Sequence, residues 1–346
     1  MITRCALKVG HQSPHLWIQS TYASGLGECA MVPTMESTTS TVSDAIDPDV
    51  LQAILQLPEV ALRPTTKGIH DIPAAVYHAD PCPEPSLSSS IAKLLCLSSA
   101  RHAWYAHPRL NPAARPEEEE RFDIGTAAHA LLLEGEAAVE IIDAKDWRTN
   151  AAKDARDAAR AAGKIPLLTN VWADVQAMVA SARGQLERHL DGGDEMFAYG
   201  QPERTLIWQE DGNVWCRARL DWLRHAAIDD YKTSASANPD AWSLTLFSMG
   251  FDIQAAWYLR GLKAVTGAEA TFRFAVQETY PPYALSVVGL GPDALMLAEK
   301  KCLYALETWR ECLRTGEWPG YPSRTCYASL PMAHEAWWLT KETREG

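Results

Sequence analysis

The chain has 346 residues, 47% hydrophobic and 22% charged, with 44 acidic against 32 basic side chains and a net charge of -12. That length supports one large or two small domains around a substantial core. The composition excludes a largely disordered chain, a collagen-like repeat and a coiled-coil rod, and no run approaches the roughly 18 apolar residues of a membrane span. The acidic balance argues against diffuse coating of nucleic acid but leaves room for an enzyme that meets it through a local basic surface. The N-terminus lacks a signal-length apolar run, so a cytoplasmic location is expected. The cysteines at 5, 29, 82, 96, 216, 302, 312 and 326 form no CxxC pair and are expected to be reduced.

Residues 1–65 read as a flexible extension. Ser37–Ser43 is low in complexity, and one amphipathic segment follows at about 48–60, carrying Val50, Leu51, Ile54, Leu55 and Leu57. The pattern becomes dense from Gly68 onward. Ser86–Leu95 reads as a serine-capped helix start with Ile91, Leu94 and Leu95 at helical spacing. A proline-rich loop at Pro108–Pro116 precedes a Gly-Thr turn and an apolar helix through His129, Leu132 and Leu133. Helices are expected at about 149–163 and 168–190. Three strand-like runs then begin at Arg204, Val214 and Ala226, the first two joined by the hairpin signal Asp211-Gly212. A helix at about 249–265, strands at Thr271–Gln277 and Ala284–Leu290, and a long helix at about 292–315 complete the chain. Helices, a three-strand meander, a helix, two strands and a helix predict an α+β fold around one mixed sheet.

Asp230-Tyr231-Lys232 falls on a predicted strand, where residues two apart share a face, so a carboxylate and an ammonium project side by side. Asp221 ends the preceding strand, and a hairpin-like return brings it near Asp230. Two carboxylates suit hard divalent cations such as Mg²⁺ or Mn²⁺, and the lysine can orient an attacking water. Asp-x-Lys alone is more often a surface charge pair, and a lone histidine such as His129 is usually a core or capping residue. Gln254 and Tyr258, four apart, lie on one face of the helix that follows. Asp229 rivals Asp230, but strand alternation turns it away from Lys232.

Gly125-Thr126-Ala-Ala-His129, Asp221, Asp230-Tyr231-Lys232-Thr233 and Gln254-Ala-Ala-Trp-Tyr258, taken in this order, resemble the RecB-like branch of the PD-(D/E)xK nucleases. Tyr77-His78-Ala-Asp-Pro, Pro85-Ser-Leu-Ser-Ser-Ser-Ile and His107-Pro-Arg-Leu-Asn-Pro112 resemble the RecE-type exonucleases within it. The resemblance covers about 68–325. It implies a restriction-endonuclease-like core, a mixed central sheet flanked by helices, over 66–346, with a helical insertion at about 136–198. It further implies a metal site formed by His129, Asp221, Asp230 and the Tyr231 carbonyl, with Glu203 as a further acidic position. Lys232 would act beside these ligands, and Gln254 and Tyr258 would bind DNA or support the site.

The activity implied is Mg²⁺- or Mn²⁺-dependent digestion of linear double-stranded DNA, 5′ to 3′ and without ATP, in phage-type recombination in a bacterial cytoplasm. A single-strand annealing protein and a homo-oligomeric ring are the partners such a resemblance suggests. Endonucleolytic or structure-specific cutting, and a non-catalytic DNA-binding module, remain alternatives. No Walker-type loop is present, and Cys302, Cys312 and Cys326 are spaced too widely for the iron–sulfur clusters of some RecB-like nucleases. Lys153, Arg156, Arg160 and Lys164 form a cationic stripe on the helix at 149–163, a candidate DNA track bordered by Asp157. Arg101, His102, His107, Arg109 and Arg115 form a second basic set, followed by Glu117–Glu120. Trp104 and Tyr105 are candidates to stack on a base.

Overall fold

The computed structural model describes residues 66–111, 113, 124–330 and 332–343. The chain divides into two units, Met1–Gln56 and Leu57–Gly346, and every described residue lies in the second. The expected extension over 1–65, Arg115 and Glu117–Glu120 lie outside the described residues. No described helix is long and apolar enough to cross a membrane.

The main sheet has the order β1-β5-β6-β7-β8-β9. Its strands are β1 (Gly68–His70), β5 (Gln201–Glu210), β6 (Val214–Arg224), β7 (Ala227–Ser234), β8 (Thr271–Glu278) and β9 (Leu285–Val288). A short β2 (Leu87–Ser88) joins β6 in parallel. The meander β5–β6–β7 is antiparallel, whereas β7 and β8 run parallel, so the sheet is mixed. The return from β7 to β8 passes through two helices, α7 (Pro239–Ser248) and α8 (Phe251–Thr266). The helix expected at about 249–265 is α8, whereas α7 was not expected; Gly250, at φ 65°, takes the left-handed conformation and separates the two. The remaining helices are α1 (Ala74–His78), α2 (Ser89–Leu97), α3 (Ala100–Ala106), α4 (Ile124–Leu133), α5 (Asn150–Ala161), α6 (Thr169–Glu187), α9 (Pro292–Thr315) and α10 (Met332–Glu342). Ser88 caps α2 by accepting from the Ile91 N–H.

Two apolar clusters cover the two faces of this sheet, as the strand alternation requires. Leu206, Trp208, Leu220, Ile228, Phe274 and Val276 pack under α2, α7, α8 and α9, with Trp242, Trp257 and Trp309 from those helices fully buried. Tyr231 and Ala275 face the opposite cluster, built with α4 and α6. The stretch at 136–198, expected as a helical insertion, carries α5 and α6 but also β3 (Val139–Ile142) and β4 (Ile165–Leu168), paired in parallel.

The three segments resembling RecE-type exonucleases meet in one buried network. Asp80, wholly buried, accepts from Ser86 N–H at 2.9 Å and Ser86 Oγ at 2.6 Å, ion-pairs with Arg217 at 3.1 Å and lies 3.3 Å from His107 Nε2. The Arg109 guanidinium donates to the carbonyls of Cys82 and Pro83. His107 and Arg109 are therefore fastenings of the fold and not part of an exposed basic track. Their partners lie far away in sequence, which is why the local charge pattern misleads. A second fastening uses Asp229, wholly buried on the opposite face from Lys232. It pairs with Arg224 at 2.6 Å and Arg273 at 3.2 Å, and Arg273 also donates to the carbonyls of Asp191 and Gly192. Removing this carboxylate takes the shared counter-ion from two half-buried guanidinium groups, leaving Arg224 with Glu195 and Arg273 with the two carbonyls. Asp229→Ala should therefore lower stability by about 3–5 kcal/mol in urea unfolding; a loss under about 1 kcal/mol would contradict this assignment.

Candidate metal centre

The site grows from one row of the sheet. In β5–β6 the pairs Pro202–Trp222 and Arg204–Leu220 flank the position where Glu203 lies opposite Asp221. In β6–β7 the ladder runs from Arg224–Ala227 to Trp222–Asp229 and stops one step short of Asp221 opposite Asp230. Three carboxylates thus fall in register across adjacent strands. Directly opposed like charges destabilise a ladder, and regular pairing fails at both places. Glu203 sits at φ 55°, a left-handed conformation that costs a side-chain-bearing residue roughly 1–3 kcal/mol. At the other break the Tyr231 N–H, released from the ladder, donates to Asp221 Oδ2 at 3.0 Å.

His129 comes to this row from α4. Its Nε2 lies 3.2 Å from Asp221 Oδ2 and its Nδ1 4.0 Å from Glu203 Oε1. Ligand atoms of His129, Glu203 and Asp221 all fall within 4.8 Å of one another. Arg219, two residues before Asp221 on the same strand face, holds Glu203 Oε2 at 2.6 Å and the Ile72 carbonyl at 2.7 Å. The approach of α4 depends on Gly125: a Cβ there would fall 2.5 Å from Thr233 Oγ1, beside Lys232 on β7.

Asp230 is outside that triplet and wholly buried on the face of α8. Gln254 Nε2 donates to its Oδ2 at 2.6 Å and to Tyr258 Oη at 3.3 Å. Lys232 meets Asp230 Oδ1, which receives no well-directed hydrogen bond. The side chains of His129, Glu203, Asp221, Lys232 and Asp230 are 31, 18, 15, 20 and 0% exposed, so the centre opens on the histidine side and closes at Asp230. Tyr231 turns its ring the other way, donating its hydroxyl to Gln277 Oε1 at 2.5 Å.

The electrostatics describe a centre short of positive charge. Burial and the Asp221 charge together raise the Glu203 and Asp230 carboxyls above the usual range. Asp221 is held low: burial opposes its charge, but Lys232, His129 and the Tyr231 N–H outweigh it. Burial likewise opposes charge on His129 and Lys232, and the surrounding carboxylates more than compensate, raising both.

These residues fit a hard divalent cation. The donors are carboxylate oxygens and one imidazole, they converge, and a buried carboxylate oxygen beside them lacks a directed partner.

A cleft of about 980 Å³ borders the centre at Glu203, lined also by Arg219, Asp71, Glu134 and Lys164. A cavity of about 630 Å³ along α5 shares Ala162 and Lys164 with this cleft, and another of about 530 Å³ lies beside Arg260. Of the expected cationic stripe, Lys153 and Arg160 are exposed on α5, whereas Arg156 pairs with Asp157 and Lys164 with Glu140. Lys164 alone of the four reaches the cleft wall. In the second basic set Tyr105 is exposed and Trp104 half-buried.

Two residues of the site carry no motif. Arg219 was signalled only by alternation with Arg217 and Asp221. Lys93, on α2, was not anticipated; its one available signal is a lone cation among Ile91, Ala92 and Leu95, which are buried. Gly125→Ala should push α4 from β7, costing about 1–3 kcal/mol in stability. It should also weaken Mn²⁺ binding measured by calorimetry; unchanged affinity would separate α4 packing from the centre.

Residues 88–329 match the PDDEXK-like domain of unknown function (DUF3799). No curated protein matches the chain. The fold is similar to that of a crystal structure from Eubacterium rectale described as a "putative exonuclease", at 13% identity and a TM-score of 0.51, covering 76% of this chain and 97% of that one. The family match spans most of the chain and contains every residue of the centre, and the protein belongs to the PDDEXK-like DUF3799 family.

Proposed function

We propose that the protein is a metal-dependent exonuclease that hydrolyses the phosphodiester bonds of linear double-stranded DNA. The observation that carries this reading is the convergence of His129, Glu203 and Asp221 next to the Asp230–Lys232 pair. His129, Asp221 and Glu203 would hold Mg²⁺ or Mn²⁺, with Asp230 and the Tyr231 carbonyl completing the set. A cation so held would polarise the scissile phosphate and activate the attacking water.

The chain's own residues supply the rest. Gln254 keeps Asp230 Oδ2 in place, and Tyr258 backs the same amide. Lys232 carries its charge while the carboxylates around it are uncompensated, and presents Nζ to an incoming phosphate oxygen. Once those carboxylates are neutralised, its hold on the proton weakens, and Nζ can exchange protons with the attacking water. Lys153 and Arg160 on α5 would track the DNA backbone toward the cleft, where Lys164 and Arg219 line the wall.

The 5′ to 3′ direction, the role in phage-type recombination with a single-strand annealing protein, the ring-shaped assembly and the bacterial cytoplasm belong to this proposal. They rest on the motif resemblance to RecE-type exonucleases.

Incubation with Mg²⁺ or Mn²⁺, and 5′-labelled linear duplex beside a covalently closed circle, tests the reading. The parent should release label from the linear duplex and leave the circle intact. Asp230→Ala should slow release by roughly 100-fold or more. Cutting of the circle would replace the exonuclease with an endonuclease, and equal activity of parent and variant would remove the proposed centre.

A further inference from the structure

Two pairs of residues, each four apart, face one another across the contact of α2 with α8. On α2 they are Ser89 and Lys93, and on α8 Gln254 and Tyr258. Ser89 lies close enough to the Tyr258 hydroxyl to lower its pKa slightly against the larger effect of burial. Lys93 Nζ donates to Gln254 Oε1 at 3.1 Å. Among the described residues no other donor reaches that oxygen, and no carboxylate ion-pairs with Lys93. The ammonium also lies 4.8 Å from the centre of the Phe251 ring, whose centre is 5.4 Å from Lys232 Nζ.

Packing does not explain a lysine here. Lys93 is half-buried on α2, and burial, followed by the nearby Lys232 charge, lowers its pKa to about 8, while the Asp230 and Asp252 charges oppose the shift. A half-buried cation whose nearest carboxylate charges, Asp230 and Asp252, lie beyond ion-pair distance is a local cost, and such costs gather at functional sites. Its one hydrogen bond has a definite consequence. An ammonium only donates, so the amide oxygen of Gln254 must face Lys93 and the amide nitrogen must face away. The nitrogen is the group that holds Asp230 Oδ2 at 2.6 Å. A chain of contacts therefore runs from Lys93 through the Gln254 amide to Asp230 and ends at Lys232.

We propose that Lys93 is a positioning residue: its ammonium anchors the Gln254 amide, and through that amide it fixes the orientation of the Asp230 carboxylate. Asp230 itself attracts the amide nitrogen, but Lys93 supplies the second anchor that keeps the buried amide from turning. Without it, Gln254 Oε1 is left buried and unpaired, and the amide shifts to satisfy it at the expense of Oδ2. The effect on catalysis rests on the reading of Asp230 as part of the hydrolytic centre; the anchoring of Gln254 does not.

The test uses the full chain and two readouts. Lys93→Met keeps the aliphatic stem and removes the donor, and Lys93→Gln serves as a second neutral variant should the first fail to fold. In the metal-free protein the Gln254 side-chain amide resonances are identified by their loss in Gln254→Leu. They should move in Lys93→Met and return toward the parent in Lys93→Arg. On linear duplex kcat should fall roughly 10–100-fold in Lys93→Met, the range for residues that orient a metal ligand, with KM unchanged and partial recovery in Lys93→Arg. Unmoved Gln254 resonances in the neutral variants would overturn the proposal whatever the activity. A parent protein that degrades no DNA would refute the nuclease reading instead, while the amide resonances would still decide the role of Lys93.

Discussion

Three carboxylates in register across three neighbouring strands set the character of this molecule. Glu203, Asp221 and Asp230 stand where a regular ladder would press like charges together, and the sheet yields at both junctions. Glu203 takes a left-handed backbone, and β6 and β7 part company at Asp221. The fork frees the Tyr231 N–H to support Asp221, and it opens space that His129 enters from one face. Arg219 and Lys232 beside the row offset part of the negative charge without removing it, and the carboxylates raise the pKa of His129. A centre built this way is under-compensated, and a divalent cation is the simplest completion.

The rest of the fold holds this row still. On one face α8 supplies Gln254 and Tyr258 to the buried side of Asp230; on the other α4 approaches through Gly125 and delivers His129. Beyond the row two buried ion-pair networks fasten the surroundings. Asp80 ties the segments before α2 and after α3 to Arg217 on β6, and Asp229 ties β7 to Arg224, Arg273 and the chain at 191–192. Adjacent aspartates thus serve opposite ends, because alternation sends Asp229 to a pair of guanidiniums and Asp230 to the centre. The net charge of -12 is in part a consequence of this design, and it sharpens the requirement for a local cationic track.

The sheet-borne part of the site was legible because it depends on short-range periodicity. Two-residue alternation placed Asp230 with Lys232, the hairpin return placed Asp221 beside them, and a four-residue step joined Gln254 to Tyr258. What was not legible depends on contacts distant in sequence or on backbone geometry. Nothing local shows that Glu203 would adopt a positive φ, or that Lys93 would meet a glutamine 161 positions away. His107 and Arg109 looked basic and exposed because Asp80 and the Cys82 and Pro83 carbonyls enter only through the fold. The β3–β4 pair was hidden for another reason: two four-residue runs, one interrupted by Glu140 and the other containing Pro166, carry too little pattern to separate strand from loop.

The central claim is that the carboxylate row is a cation site in its own right, before any DNA arrives. Calorimetric titration of Mn²⁺ into the DNA-free protein tests it most directly, with Asp221→Asn as the comparison because Asp221 is the middle member of the row. The account predicts saturable binding to the parent that is lost or weakened by at least about 10-fold in the variant. Equal binding by the two proteins, or no saturable binding to the parent, would contradict it.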